Sequence, residues 1–320
     1  MPAAIGLPQC SVIIPCFNAR ATIVAAIQSA CRQTVHNIEI IVVDDGSRDS
    51  APQIVATLAQ SDSRIQLIRQ ENGGVSAARN TGIKSARARI IAFLDADDMW
   101  APDHLATHIR RIETNVRLGV SFSPARFIDA NGAVTGQSRP KLDNLKPADL
   151  LCSNPTTTCS TLVVRREVFK DVGVFHTHMR HNEDQEWLFR VALSGWVMAG
   201  DPMARVDYRI SPGGLASDLD GMYRGFQIML DEARKDAPTL VKRHQARATA
   251  SMLRYLARRA IQLGHSAHIS RRYVFAAVQA CPLLIVLEPR VTLSTVAAVL
   301  MPQTLLAPLL QATNARAAQT

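Results

Sequence analysis

One stretch constrains this chain more than any other: Ile90-Ile91-Ala92-Phe93-Leu94 runs straight into Asp95-Ala96-Asp97-Asp98. Five consecutive apolar residues fit a strand buried on both faces, as in a parallel sheet covered on each side by helices. The acids then fall at that strand's carboxyl end, where open α/β sheets bind ligands. Carboxylates this close repel one another. A hard divalent cation, held by one or two carboxylates together with phosphate oxygens, relieves the repulsion. A solvated acidic turn relieves it without any ligand. These nine residues leave both readings open.

The preceding sequence sets that strand in a series. Ser11-Val12-Ile13-Ile14 reads as a first buried strand ending at Pro15, with Pro15-Cys16-Phe17-Asn18 as the loop after it. Ile23, Val24, Ile27 and Cys31 recur at helical spacing, predicting an amphipathic helix over 20–32. Ile38 to Val43 is a second buried strand, and it too runs into acids, Asp44-Asp45-Gly46-Ser47. Residues 50–60 read as helix and Arg64 to Ile68 as a third strand. This βαβαβ alternation predicts a doubly wound, mostly parallel, right-handed sheet. In Glu71 to Gly82 the pair Gly73-Gly74 makes a turn needing positive φ. A small-residue helix follows, and its N-terminus can face a phosphate. The spacing matches neither G-x-G-x-x-G nor a P-loop, which excludes both of those nucleotide-binding classes.

Further on, Met99-Trp100-Ala101-Pro102 predicts a helix to about Arg117, with Pro in the first turn. Val120 to Phe127 alternates like one strand, Asn131-Gly132 signals a hairpin, and residues 136–150 read as an irregular polar loop. Asn154 to Ser160 is a polar loop before a strand from Thr161 to Val164, with a β-branched edge strand as the bland reading. Asn182-Glu183-Asp184-Gln185-Glu186 opens a helix. Asn182 is a fair N-cap and the acids suit the helix dipole, which accounts for them without chemistry. Asp184 and Leu188 share one helix face, so Asp184 stands above a core contact.

Charge divides the chain unevenly. Residues 1–221 hold 23 basic and 23 acidic residues, while 222–320 hold 13 basic and 4 acidic, which is the whole net charge of +9. That predicts a neutral body, 1–216, and a basic helical region, 217–320, meeting something anionic. Arg254, Arg258 and Arg259 interleave with Leu253, Leu256 and Ile261 as a solvated amphipathic face. Val274 to Leu287 and Val291 to Thr313 carry no basic or acidic residue, and Arg271, Arg272 and Arg290 flank them. Pro302 and Pro308 interrupt the longer run, which favours helices lying in the interface of an anionic membrane over a span. Packing between copies is the remaining option. The arginines lack interleaved aromatics or a binding motif, so nucleic acid is excluded as a partner. The six cysteines form no CxxC pair or zinc spacing and read as reduced thiols. The first nine residues have no basic n-region or apolar h-region, so the expected location is cytoplasmic, peripheral at the inner membrane face.

Taken together, Val12-Ile-Ile-Pro-Cys-Phe-Asn18, Val43-Asp-Asp-Gly-Ser-Arg-Asp49, Asn72-Gly-Gly-Val-Ser-Ala-Ala-Arg-Asn80 and Phe93-Leu-Asp-Ala-Asp-Asp98 resemble the family 2 glycosyltransferases of the GT-A fold, over residues 10 to about 210. The resemblance implies an α/β fold of GT-A type with a C-terminal α-helical extension. It implies an inverting enzyme using a nucleotide-diphospho-sugar, expected to be UDP-linked, and a glycan or lipid-linked acceptor. By the same resemblance Pro15, Phe17 and Asp45 line the nucleobase pocket, Asn18 belongs to the nucleotide-sugar site, Arg79 and Asn80 lie near the nucleotide, and Asp95 contacts the ribose. Asp97 ligates Mg²⁺ or Mn²⁺ with help from Asp98, and Asp184 is the general base. The Asn154 to Ser160 region would face the acceptor. Phe17 stands where the family often has Tyr, and Ser211 where many relatives have a histidine that joins the metal shell. Arg209 would balance phosphate charge. A sugar nucleotidyltransferase would want a Gly-rich basic loop after the first strand, which Pro15 to Arg20 does not supply. A non-catalytic nucleotide-sugar-binding protein on a membrane would not need Asp95, Asp97 and Asp184 together.

Overall fold

The structure is a computed structural model; it describes residues 6–210, 214 and 217–300. The chain lays down β1 (Cys10–Cys16), α1 (Ile23–Cys31), β2 (Ile38–Asp44), α2 (Ala51–Ser61), β3 (Ile65–Arg69), α3 (Val75–Ser85) and β4 (Ile90–Phe93). It continues through β5 (Met99–Trp100), α4 (His104–Thr114), β6 (Leu118–Phe122), β7 (Ala125–Ile128), β8 (Val134–Gln137), α5 (Pro147–Cys152) and a single 3₁₀ turn, Cys159–Thr161. Then come β9 (Val163–Arg165), α6 (Arg166–Val172), α7 (Glu183–Leu193), β10 (Val197–Gly200) and β11 (Val206–Arg209). The last helices are α8 (Leu219–Asp236), α9 (Pro238–Gln262), α10 (Ala267–Ala280), α11 (Leu284–Leu287) and α12 (Pro289–Leu300).

Seven strands form one sheet in the order β10-β6-β9-β4-β1-β2-β3, parallel except for β9. A smaller sheet, β5-β11-β7-β8, stands beside it. From β1 the chain winds outward through β2 and β3, then returns to place β4 on β1's other side. The gap between the carboxyl ends of β1 and β4 is therefore the topological switch point. β1 and β2 are buried along their whole length, and the one charged residue inside them before Asp44, Glu39, is met by Ser11 Oγ and by Arg87 Nε at 2.7 Å.

Four expectations are corrected. The first strand runs on through Pro15 to Cys16. Ile13 and Cys16 use their carbonyls on opposite neighbours, Leu94 and Asp45 respectively. By that alternation Pro15 faces the side of β4, which has already left the sheet, so its missing N–H breaks no ladder bond. Met99-Trp100 is a strand paired with Val206 and Asp207, and the helix begins only at His104. The alternating stretch from Val120 to Phe127 is two strands in two sheets, divided at Ser123-Pro124. The β-branched strand near Val164 is central, antiparallel to both β4 and β6.

The helices after residue 216 share a core with the sheet: Phe226, Leu253 and Leu256 pack in one cluster with Phe93, Trp187 and Leu188. The arginines of α9 are a further correction. Arg254 is buried, giving hydrogen bonds to Glu288 Oε2 and to Thr292 Oγ1 at 2.9 Å, so it fastens α9 to α12 instead of facing solvent. Among the described residues no helix is long and apolar enough to cross a membrane. Ser211 and residues 301–313, on which part of the sequence reading falls, lie outside the described residues.

Candidate active site

The acids at the strand ends have been given different partners, and the partners separate their roles. Asp45 is buried after β2. Its Oδ1 accepts from Gln70 Nε2 at 2.7 Å and Gly73 N at 2.9 Å, and its Oδ2 from Gly74 N at 2.8 Å. It holds the turn that the Gly pair was expected to make, with Gly74 at φ +88°. Asn18 Oδ1 accepts from Arg48 N at 2.8 Å, and Asn18 N donates to Ser47 Oγ at 2.9 Å, tying the loops after β1 and β2 together. Phe17 is 50% exposed, an open ring beside this turn, whereas Pro15 is buried in β1 and offers no open face to a base.

Arg79, on α3, is buried beneath the switch point. It donates to Asp95 Oδ1 at 2.7 Å and to Glu183 Oε1 at 2.8 Å, joining the loop after β4 to the first residue of α7. Neighbouring Asn80 is corrected. Its amide donates to the carbonyl of Phe175 at 2.8 Å and its oxygen accepts from Phe175 N at 3.1 Å, so it anchors the 173–182 loop and is not turned to a ligand.

Asp98 is also corrected. It has no exposed surface, and both oxygens are engaged: Oδ1 accepts from Arg209 N at 3.0 Å, and Oδ2 from Ser160 Oγ at 2.6 Å. Burial, then the charges of Asp97 and Asp95, pushes its carboxyl well above the usual range. Asp98 is a buried strut between β4, the 3₁₀ turn and β11. Asp97 differs. Its main-chain carbonyl accepts from Arg209 Nε at 3.2 Å, while its carboxylate meets no hydrogen-bond donor of another described residue. Burial and then the charge of Asp95 push Asp97 up too, with Arg209 opposing. A part-buried carboxylate without a donor, facing further acids, fits a hard divalent cation completed by ligand oxygens. Asp97 would be the protein ligand. Arg209 also donates to the carbonyls of Asp129 and Ala130, at 3.1 and 3.2 Å.

Asp184 sits in the first turn of α7. Asn154 Nδ2 donates to its Oδ2 at 2.7 Å and Gln185 N to its Oδ1 at 2.8 Å. Burial raises its pKa, with Asn154 the largest opposing effect. The side chain is fixed in direction and remains half-buried, open enough to meet a ligand. Asn182 does not cap the helix with its side chain; it takes a left-handed conformation at φ 61° and turns its amide to Gln185 Oε1 at 3.1 Å.

Sequence reasoning missed several of these residues. Glu183 was explained as a helix-dipole acid, yet it is buried and is raised by burial and by Asp184. For Thr158 and Ser160 the sequence offers only an acceptor-facing segment or loop polarity, not a partnership with the acids after β4. Thr158 donates to Asp95 Oδ2 at 3.0 Å, and Ser160 Oγ accepts from Asp95 N at 2.9 Å. The clustering of hydroxyls between Thr156 and Thr161 was the available signal. Tyr255 and Arg259 on α9 are close enough to act electrostatically on Tyr208 and on each other, and Tyr255 also senses Asp184, so the helical region borders this cleft.

Comparison with known proteins bears on the family and the fold. The profile described as Glycosyl transferase family 2 matches residues 11–173. EpsH of Bacillus subtilis (strain 168) is 37% identical over 145 residues, covering 43% of this chain and 42% of that protein. The match thus spans less than half of that relative's length. The Escherichia coli protein named UDP-Glc:alpha-D-GlcNAc-diphosphoundecaprenol beta-1,3-glucosyltransferase WfaP is 31% identical over 211 residues, 65% of this chain and 80% of its own. The solved structure of the mannosyltransferase PcManGT from Pyrobaculum calidifontis, in complex with GDP-Man and Mn²⁺, superposes with a TM-score of 0.59 at 17% identity. It covers 98% of this chain and 86% of that one, and it shows the shared GT-A fold.

Proposed function

The chain belongs to glycosyl transferase family 2, and from that premise we propose that it transfers a sugar from a nucleotide-diphosphate donor to a hydroxyl of a glycan or lipid-linked acceptor, with inversion. The observation that carries the reading is the sorting of the acids around the switch point. The Asp97 carboxylate meets no donor of another described residue, and Asp184 is held in one orientation by Asn154. The exposed ring of Phe17 stacks on the base, and Asp45 Oδ2, with one donor from Gly74, keeps a lone pair for a base N–H. That preference suits a uracil-type edge, and WfaP is named for a UDP-sugar.

Asp184 takes the proton of the acceptor hydroxyl as that oxygen bonds to C1 of the sugar. The bond from C1 to the diphosphate breaks on the opposite face, so the anomeric centre inverts. Mg²⁺ or Mn²⁺, held by Asp97 and donor oxygens, would supply Lewis-acid neutralisation of the departing diphosphate. Arg79 keeps Asp95 and Glu183 paired, and Asp98 keeps the loop bearing Asp97 in place.

The acceptor is proposed to be met at a membrane surface. Phe275, Leu283, Val286 and Leu293 expose apolar side chains on α10 to α12, with Arg271, Arg272 and Arg290 among them, a combination that suits anionic lipid. WfaP is named for a diphosphoundecaprenol-linked acceptor.

The test is donor hydrolysis across a panel of UDP-, GDP- and dTDP-sugars, with and without Mn²⁺ or Mg²⁺. We expect cation-dependent release of nucleoside diphosphate from one donor, lost in Asp97→Ala, with acceptor transfer lost in Asp184→Asn. Full activity of Asp97→Ala would sink the cation assignment.

A further inference from the structure

Outside the cleft, the 173–182 loop and α8 bring two histidines and a glutamate together. One ligand atom from each of His176, His178 and Glu232 lies within 4.8 Å of the others. His178 Nε2 is 3.2 Å from Glu232 Oε1. That separation is close to the roughly 3.3 Å edge of a tetrahedron built from metal bonds of about 2.0–2.1 Å. The His176 and His178 rings stack with centroids 5.3 Å apart. Nothing in the reaction described above uses these residues.

The surroundings are those of a site more than of a chance surface pair. Glu186, 1% exposed at its side chain and gripped by Arg190, turns Oε2 to within 3.6 Å of His176 Nδ1. That nitrogen is buried and has no hydrogen-bond partner. A carboxylate behind one ring nitrogen is the usual way to fix a ligating histidine's tautomer and leave the other nitrogen for the ion. Lys235 Nζ donates to Glu232 Oε2 at 2.6 Å, which leaves Oε1 directed at His178. The loop can lie this close to α8 because of Gly221 and Gly225. A Cβ at Gly225 would come within 2.6 Å of His181 Cβ, and one at Gly221 within 2.7 Å of His181 Nε2.

We propose that His176, His178 and Glu232 form a zinc site, separate from the oxygen-lined cleft, that clips the 173–182 loop to α8. Two imidazoles and one carboxylate with a water in the fourth position suit Zn²⁺; Mg²⁺ and Mn²⁺ prefer oxygen. The clipped loop leads directly into Glu183 and Asp184, and its Phe175 is bonded to Asn80 beside Arg79. Occupancy would therefore stiffen the mounting of the proposed base without touching substrate.

The proposal is independent of the glycosyl-transfer reading and is tested by binding. Full-length protein carrying Asp97→Asn, which weakens the cleft's own cation site, is stripped with chelator and titrated with Co²⁺. The expected result is one equivalent showing the visible absorption of four-coordinate Co²⁺, displaced by Zn²⁺ and not by Mg²⁺, together with a rise in Tm on adding Zn²⁺. His178→Ala and Glu232→Gln should each weaken binding by more than about 10-fold, at least the loss that removal of a mere supporting residue causes. His265→Ala, an exposed histidine elsewhere, should change nothing. His178 is 54% exposed at its side chain, so its loss should leave the fold intact, checked by circular dichroism. Absorption that survives both substitutions, or a Tm in the parent protein that Zn²⁺ does not move, overturns the proposal.

Discussion

Two buried histidines make the stability of this fold sensitive to mild acid. His104 stacks on Trp100 with centroids 4.5 Å apart, and His108 lies edge-on to His104 at 4.6 Å, both with no exposed surface. Neither nitrogen of His104 has a hydrogen-bond partner; His108 Nδ1 pairs with Ser121 Oγ at 2.8 Å. Burial pushes His104 well below the usual imidazole range and His108 down to about 3; Arg205 adds to both, while Asp201 opposes for His108. The sign follows from proton counts. Unfolded, each takes a proton near pH 6.5; folded, neither does until far lower pH. Their contribution is therefore complete above pH 6.5 and is lost as pH falls below it. From pH 7.0 to 5.5, an unfolded pKa of about 6.5 gives a loss of about 1.3 kcal/mol per histidine, or about 2.5 kcal/mol for the pair. The buried acids of the cleft, whose pKa values are raised, work in the opposite direction, so the measurement must be a difference. Urea denaturation of the parent and of His104→Leu at both pH values should show a pH-dependent loss about 1.3 kcal/mol smaller in the variant. Equal pH-dependence in the two proteins would refute the buried, neutral assignment.

Other substitutions test the cleft. Arg79→Met leaves buried Glu183 and part-buried Asp95 without their cation and should cost about 3–5 kcal/mol of stability, read by denaturation, with the deficit shrinking at lower pH as Glu183 takes a proton. Asp184→Asn should lower kcat by about 10²–10⁴-fold while donor affinity, read by calorimetry, is unchanged. Asp45→Ala removes the acceptor of three donors and should both weaken donor binding and cost about 2–3 kcal/mol, since hydrogen bonds to a charged group are worth about 1.5–3 kcal/mol each before the loop relaxes.

What the sequence discloses here is what local pattern can carry. β1, β2 and β4 are short, mostly apolar runs, broken only by Ser11 and Glu39, and acids come at the ends of β2 and β4, so both the strands and the side of the sheet that binds were legible. Asn131-Gly132 marked its hairpin because the turn needs the positive φ that Gly132 adopts. What failed depends on partners distant in the chain. Val163 and Val164 look alike at an edge or at a centre; only β4 and β6 decide it. Asp98 looks like Asp97 until Arg209, 111 positions on, donates to it. Asn80 is read as a ligand contact until Phe175 claims both ends of its amide. The two-residue β5 is shorter than any periodicity can register.

The charge around the switch point gives an argument for a cation that does not depend on family. Asp95 and Glu183 are matched to a single guanidinium, Arg79, which is too deeply buried to serve anything else. Asp98 is pushed toward its neutral form. Asp97 and Asp184 remain, and of the cations at this face Arg209 is directed at the carbonyls of Asp97, Asp129 and Ala130. A donor diphosphate therefore enters a cleft whose own carboxylates already exceed its directed positive charge. In a site screened less than open water, that repulsion grows. A divalent ion held by Asp97 and donor oxygens would reverse the sign of that encounter, and would also lower the cost of keeping Asp97 ionised. Asp184, oriented by Asn154 and Gln185 and forming no ion pair among the described residues, would then keep its carboxylate for the acceptor hydroxyl under the proposed reaction.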